Sequence, residues 1–297
     1  MGRAPARPAF VILARAVAFQ LLHWHFGDRQ RLTNRAAFAF VVLAAVAAPS
    51  QLRAQGAPAE APTAPTAPAA APERDVSFKQ LPANLASDQK NIWLFPAHLR
   101  HRRVLVSALA VAGAAAALVA LDPKEGHYFR NSTAFNGFNT AFSGTHTSIA
   151  MLVAPVSWYA AGLIRKDEKS KRTALLAAEA VANSEILTTV MKDIDRRLRP
   201  GAIAPNGNFS DTWFDSGGNW LRGRGSFPSG HSIAAASIAT VFARRYGREH
   251  RWVPYVAYGL AAAVGFSRMT LAAHFLSDVF MGGALGYSIG RFGVLHQ

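Results

Sequence analysis

The sequence predicts an all-α membrane protein, built as a bundle of about six transmembrane helices. Hydrophobic residues make up 51% of the 297 residues and charged residues only 16%, whereas soluble proteins contain about 25% charged residues. Several of the apolar segments fall short of the ~20 residues that a full span usually needs, so we expect their helices to extend into flanking polar residues. Six such segments follow one another, at 104–121, 147–164, 173–190, 232–242, 253–266 and 275–289.

The connectors between these segments alternate in charge, which predicts their side of the membrane. Cytoplasmic connectors carry an excess of lysine and arginine, so we expect the basic connectors to be cytoplasmic and the others to lie on the opposite face. The basic set is Arg165, Lys166, Lys169, Lys171 and Arg172, then Arg244, Arg245, Arg248 and Arg251, and finally Arg291. In the last segment, Gly282, Gly286 and Gly290 share one helix face, where we expect another helix to approach closely.

The chain before residue 103 divides into three predicted parts. Residues 1–54 contain an uninterrupted apolar run at 36–48 after three arginines, and are either a cleaved signal peptide or an N-terminal anchor. Residues 55–75 are rich in alanine and proline and are expected to form an extended linker. Residues 76–102 mix polar with aromatic and aliphatic side chains, as an amphipathic segment at the membrane interface does. Residues 103–297 form the predicted membrane-embedded domain.

This division leaves the topology open at the N-terminus. Six spans require the residues before 104 to be cytoplasmic, and Arg100, Arg102 and Arg103 agree with that. A cleaved signal peptide would instead leave them outside. Either the first apolar run is not a signal, or one segment does not cross, or the region 76–100 re-enters the membrane.

Net charge and cysteine content narrow the function further. The formal net charge of +15 suits anionic lipid head groups, phosphate-bearing substrates or nucleic acid. Nucleic acid is disfavoured, because the basic residues cluster between apolar segments with no basic helix and aromatic platform. The chain contains no cysteine, which excludes disulfides and thiolate metal sites.

Three short clusters stand out between the apolar segments. The first is Lys192, then six residues and Arg199-Pro200; the second is the run 228–231, proline-serine-glycine-histidine. The third is Ser267-Arg268, then five residues and His274, then three residues and Asp278. Together they supply three cations, two imidazoles, a carboxylate and a turn with exposed backbone N–H groups. Such a set is suited to holding a phosphate and attacking it, so the sequence predicts a phosphatase.

In order and internal spacing, the three clusters resemble the type 2 phosphatidic acid phosphatase family, whose core also occurs in bacterial acid phosphatases and vanadium haloperoxidases. Every fixed position of the family's three-part pattern is present, and the resemblance spans about 104–290. It is highly specific for the superfamily and much less so for the substrate.

The resemblance implies a role for each cluster residue. His274 is the expected nucleophile, forming a phosphohistidine, and His231 the expected general acid and then base. His274 and Asp278 are four residues apart, so on a helix the carboxylate would accept a hydrogen bond from one imidazole nitrogen and leave the other free for phosphorus. The phosphate would be bound by Lys192, Arg199, Ser229, Gly230 and Arg268. These groups do the electrostatic work of a divalent ion, so we expect hydrolysis with no metal and no cofactor.

The family also implies a class of substrate and a location. The expected substrate is a phosphorylated lipid of the phosphatidic acid, phosphatidylglycerol phosphate or undecaprenyl pyrophosphate type, in a bacterial-type cytoplasmic membrane with the site facing outward. Three alternatives stay open: a secreted nonspecific acid phosphatase, a vanadium-dependent haloperoxidase, and a non-catalytic lipid-binding membrane protein.

The connector 201–227 joins the first two clusters. It either receives a lipid head group or forms a solvated loop whose aromatic residues anchor it at the interface. Its aromatic residues and arginines are Phe209, Trp213, Phe214, Trp220, Arg222 and Arg224.

Overall fold

The structure is a computed structural model, and it describes residues 74–215 and 223–295. Within these ranges every regular element is helical and no strand is present. The predicted N-terminal signal or anchor lies outside the described residues, as do all but the last two residues of the predicted linker. The helices are α1 (Leu81–Trp93), α2 (Phe95–His98), α3 (Arg102–Asn131), α4 (Asn136–Ala141), α5 (Gly144–Ile164), α6 (Glu168–Asp195), α7 (Gly230–Tyr246), α8 (Val253–Thr270) and α9 (Leu276–Ser288).

All six predicted apolar segments lie in helices, α3 and α5 to α9, which confirms the all-α fold class. Three of the described helices, α3, α5 and α6, are long and apolar enough to cross a membrane. The helices do extend into flanking polar residues: α3 continues past the predicted 104–121 to Asn131. A 3₁₀ turn at Pro200–Ala202 and a π-helical turn at Ile289–Val294 complete the regular structure.

Helices α6 and α7 contain many of the buried residues of the domain. The apolar side chains of α6 join those of α7 and of the π-helical turn in one buried core, whose members include Leu176, Ala180, Leu187, Ile233 and Val294. By contrast, α3, α5 and α8 expose large apolar side chains, as helices facing lipid do. The outward set includes Leu109, Val156, Ile164, Tyr255 and Leu260.

The six helices that contain the apolar segments alternate in direction, so their ends form two separate groups. At one end, Lys169 Nζ lies 2.5 Å from Glu249 Oε1, joining the two basic connectors. At the other end, Gly201 N donates to Ala272 O at 2.6 Å, joining the connectors that hold the first and third clusters. All three clusters therefore lie at the end opposite the basic connectors.

Helices α7 and α9 approach each other closely at their backbones, as the glycine pattern predicts. A Cβ atom at Gly282 would lie 2.7 Å from the Ser229 carbonyl oxygen, and one at Gly290 would lie 2.7 Å from Thr240 Cβ. Only glycine allows this approach. The predicted close helix–helix contact is therefore present.

Helix α1 is fastened to α6 by a buried polar cluster. Arg74 Nη1 lies 2.8 Å from Asp88 Oδ1, and Nη2 of the same guanidinium pairs with Glu179. Asn183 Nδ2 donates to Asp88 Oδ2 at 2.9 Å. The last part of the predicted linker is thus held by ion pairs, while Trp93 and its neighbours on α1 and α2 remain exposed.

Candidate active site

The second cluster is the point at which the other two meet. Ser229 caps the N-terminus of α7: its oxygen accepts from Ser232 N at 3.4 Å and from Ser232 Oγ at 2.9 Å, so its own O–H hydrogen is free to donate elsewhere. Ser229 N donates to the Asp278 carbonyl at 3.0 Å, which ties the second cluster to the third. Gly230 touches Thr188 of α6, one helical turn before Lys192.

Ser226, just before this cluster, makes three contacts that organise the site. Its N–H donates to the Arg197 carbonyl at 2.7 Å, and its hydroxyl donates to Asp278 Oδ2. Its carbonyl lies 2.7 Å from His274 Nδ1. Because a carbonyl can only accept, Nδ1 carries the hydrogen in the neutral ring. Among the described residues no partner binds Nε2, whose lone pair is then available for attack.

One part of the predicted geometry is wrong. His274 lies in the turn before α9 rather than on a helix with Asp278, and its N–H donates to the Arg268 carbonyl at 3.1 Å. Asp278 Oδ2 is 3.5 Å from Nδ1, while the Ser226 carbonyl takes the hydrogen bond. The carboxylate instead accepts from Phe275 N at 2.9 Å, at the start of α9, because a first-turn aspartate can bond the capping N–H.

His231 is held by the N-terminal part of α5. Its Nε2 lies 3.2 Å from the Gly144 carbonyl and 2.9 Å from Ser148 Oγ. The carbonyl can only accept, so Nε2 carries a hydrogen and Nδ1 is the second ring position, where a further proton can be gained or lost. Nothing in the sequence pattern points to Ser148, because it lies within an apolar helix and is distant in sequence from the three clusters.

Burial and nearby cations lower the pKa of both histidines. Burial, together with the charges of Arg199, Lys192 and Arg268, holds the pKa of His274 well below its ordinary value. Burial and the charge of Arg268 do the same to the pKa of His231, although its bond to Gly144 opposes the shift. Lys192 and Arg268 therefore lie close enough to act on both rings, and Arg199 close enough to act on His274. The Arg268 guanidinium is anchored by Ser267 Oγ, 2.8 Å from Nη2, and by the Phe142 carbonyl.

Most described residues of the connector 201–227 are exposed, but several of its aromatic side chains pack inward. Trp213 lies against the Arg197 guanidinium and meets Phe227 edge to face. Phe209 joins Ile203 and Phe275 in a small buried core. Phe214 is 71% exposed and remains free for an interface. Trp220 and Arg222 lie outside the described residues.

Fold and site together define a class: an all-α membrane protein in which two histidines and three cations meet at one end of the helical bundle. Residues 173–296 match the family model of the PAP2 superfamily. The resemblance drawn from the three clusters is thereby confirmed for that segment, which contains all of them.

Two curated proteins and one crystal structure are similar to the chain. Lipid A 1-phosphatase of Porphyromonas gingivalis is 38% identical over 68 residues, 23% of this chain and 15% of that protein. Phosphatidylglycerophosphatase B of Bacillus subtilis is 32% identical over 119 residues, 38% of this chain and 52% of that protein. The chain thus spans about half, or less, of the relatives it matches. A crystal structure of a transmembrane PAP2 type phosphatidylglycerolphosphate phosphatase from Bacillus subtilis covers 70% of this chain and 92% of its own, with a TM-score of 0.36 and 20% identity.

Proposed function

We propose that this chain is a membrane-bound, metal-independent phosphatase that hydrolyses a lipid phosphate monoester or pyrophosphate. The observation that carries the proposal is the state of His274: a buried neutral ring with Nδ1 bonded to the Ser226 carbonyl at 2.7 Å, near enough to three cations for their charges to lower its pKa. The match of residues 173–296 to the PAP2 superfamily supports it. The relatives named above, a lipid A phosphatase and a phosphatidylglycerophosphatase, support a lipid substrate.

Lys192, Arg199 and Arg268 bind the phosphate in this proposal. Three cations spread around the phosphoryl oxygens stabilise the charge that is distributed over them in the transition state. The Ser229 hydroxyl and the Gly230 N–H, at the start of α7, add hydrogen bonds and a helix N-terminus, where anions are favoured. A phosphate held in this way meets Nε2 of His274.

The reaction proceeds in two displacements. The Nε2 lone pair of His274 forms a bond to phosphorus while the bond from phosphorus to the leaving oxygen breaks, and that oxygen takes a proton from His231. A water molecule then gives a proton back to His231 and attacks phosphorus. The N–P bond breaks, and inorganic phosphate leaves. Asp278, 3.5 Å from Nδ1, offsets the positive charge that the His274 ring carries in the intermediate.

The proposed membrane is a bacterial-type cytoplasmic membrane, with the site on its outer side. Phosphatidic acid, phosphatidylglycerol phosphate and undecaprenyl pyrophosphate are the proposed substrate types. The placement rests on the basic connectors at the opposite end of the bundle, because such connectors are retained on the cytoplasmic side.

The test is phosphate release by the protein purified in detergent, measured across those three lipid types. We expect release from at least one of them, no release by His274→Ala, and a burst without sustained turnover by His231→Ala. EDTA should leave the rate unchanged, since side-chain cations supply the charge. Full activity of His274→Ala, or loss of activity with EDTA, would contradict the proposal.

A further inference from the structure

Arg197 has no role in the mechanism above, yet it is the most completely enclosed cation near the site. It stands inside the first cluster, two residues before Arg199, and its side chain is only 1% exposed. Its neighbour Arg196 has a positive φ of 46° at the end of α6. That left-handed residue turns the chain, so Arg196 is exposed while Arg197 enters the interior.

The Arg197 guanidinium joins two buried carboxylates. Its Nη2 lies 2.7 Å from Asp122 Oδ2, and its Nη1 lies 2.6 Å from Asp278 Oδ1. The guanidinium also lies against two rings, 4.4 Å from the centroid of Trp213 and 4.1 Å from that of Phe275. A planar guanidinium held by two carboxylates and two rings has little freedom to reorient.

Asp122 is fixed in turn by the start of α9. Ser277 N donates to Asp122 Oδ1 at 3.1 Å, and Ser277 Oγ donates to Asp122 Oδ2 at 2.5 Å. The long helix α3 is thereby tied to the turn that carries His274. Burying the charges of Arg197, Asp122 and Asp278 costs desolvation free energy that apolar side chains would not cost. Stability alone therefore does not explain the cluster, whereas a need to hold the turn with His274 in place does.

We propose that Arg197 and Asp122 are positioning residues for the predicted nucleophile, an inference that rests on the proposed function. The path from Arg197 to His274 has two branches, and both pass through Ser226. The Arg197 carbonyl accepts from Ser226 N at 2.7 Å. Its guanidinium holds Asp278, which accepts from the Ser226 hydroxyl. Ser226 is thus fixed at two points, and its carbonyl holds Nδ1 of His274.

The negative charge of Asp122 also affects how strongly Asp278 can stabilise a positive charge on the His274 ring. Arg197 favours the ionised form of Asp278 against the effect of burial, because an adjacent opposite charge stabilises a carboxylate. If Asp278 were its only partner, Arg197 would also cancel much of the field of Asp278 at the His274 ring. Asp122 balances the guanidinium, so the negative charge of Asp278 remains effective when the ring becomes positive.

The test compares Asp122→Asn with Asp88→Asn, two fully buried carboxylates that each pair with one arginine. Both variants should unfold at a lower temperature. Only Asp122→Asn should lower kcat, by roughly 10- to 100-fold, the range for one hydrogen bond to a charged group, with little change in KM. It should also move the acid limb of kcat/KM to lower pH, since losing a negative charge lowers the pKa of His274 further.

A milder variant covers the case in which Asp122→Asn does not fold. Ser277→Ala removes a hydroxyl that donates to Asp122 and accepts from Arg197 Nη1 at 2.8 Å, and it removes no charge. It should reduce kcat by a smaller factor in the same direction. Equal loss of kcat in the Asp88 and Asp122 variants, or unchanged kcat in Ser277→Ala, would overturn the inference. The proposed function is judged separately, by phosphate release from the wild-type chain and its loss in His274→Ala.

Discussion

At the scale of single residues, the cations that would bind phosphate also determine the state of the histidine that would attack it. His274 is buried beside Arg199, Lys192 and Arg268, and each positive charge disfavours its protonated form. A neutral imidazole with Nδ1 bonded to a carbonyl presents its lone pair at Nε2. In the proposed mechanism the same positive charges would thus both bind the phosphate and keep the His274 ring neutral. The same cations work against His231, whose proposed role in the first step requires a proton.

The pH dependence of the reaction should reflect this conflict. The pKa of His274 lies well below 6.5, so loss of the nucleophile by protonation should occur only at pH values well below 6.5. The pKa of His231 is also lowered, so its protonated fraction falls as pH rises toward neutrality. We expect kcat/KM, measured from pH 4 to 9 on a lipid phosphate, to be highest below about pH 6.5 and to decline above it.

Two comparisons test the assignment of that decline to His231. A bound phosphate brings negative charge that raises the pKa of His231, so the alkaline limb of kcat should lie at higher pH than that of kcat/KM. With p-nitrophenyl phosphate, whose leaving group needs little help from an acid, the decline should be shallower. A kcat/KM that rises through pH 8 would refute the assignment.

At the scale of elements, the contact between α7 and α9 holds the site together. Helix α7 begins at the second cluster, and α9 begins beside His274. Gly282 and Gly286 of α9, and Gly290 in the π-helical turn that follows it, contact α7. A change in the separation of the two helices would move Ser229 relative to Asp278, whose backbone groups bond across the same contact.

Gly286→Ala tests this contact, and Gly283→Ala is its control. A Cβ at Gly286 would overlap the Ile233 carbonyl and lie 2.8 Å from Ala236 Cβ, whereas one at Gly283 would meet nothing within 4 Å. Overpacking costs ~1–3 kcal/mol, which should lower the melting temperature of Gly286→Ala in detergent by at least a few degrees. Its phosphatase activity should fall as well. The Gly283→Ala protein should match or exceed wild type in both; equal behaviour of the two variants would argue against the contact.

The sequence predicts features within one helix better than bonds between different helices. The helices and the glycine face were predictable, because periodicity and spacing within one segment specify them. The bond from His274 to the Ser226 carbonyl spans 48 residues, and that from Ser277 to Asp122 spans 155, and no local pattern encodes such pairs. Asp122 did offer a signal, as a carboxylate directly after an apolar run, where a charge requires a partner. The i, i+4 spacing of His274 and Asp278 was misleading, since the helix starts between them.

At the scale of the whole molecule, alternating helix directions separate the two kinds of connector. The basic connectors meet where Lys169 pairs with Glu249, and the connectors that bear the clusters meet where Gly201 bonds Ala272. If the basic end is cytoplasmic, every predicted site residue near a helix end faces outward. The N-terminal topology left open by the sequence does not alter this relation, because it follows from the helices after residue 102 alone.

The orientation can be tested directly because the chain has no cysteine, so a single introduced thiol is a unique label site. Asn206 is exposed in the connector after the first cluster, and Arg248 is exposed in the basic connector after α7. In intact spheroplasts, a membrane-impermeant maleimide should label Asn206→Cys, and should label Arg248→Cys only after the membrane is permeabilised. Both proteins should retain phosphatase activity, since neither residue belongs to the site. The reverse labelling pattern would place the clusters in the cytoplasm, and labelling of both thiols in intact spheroplasts would mean that the described domain does not separate its two ends across a membrane.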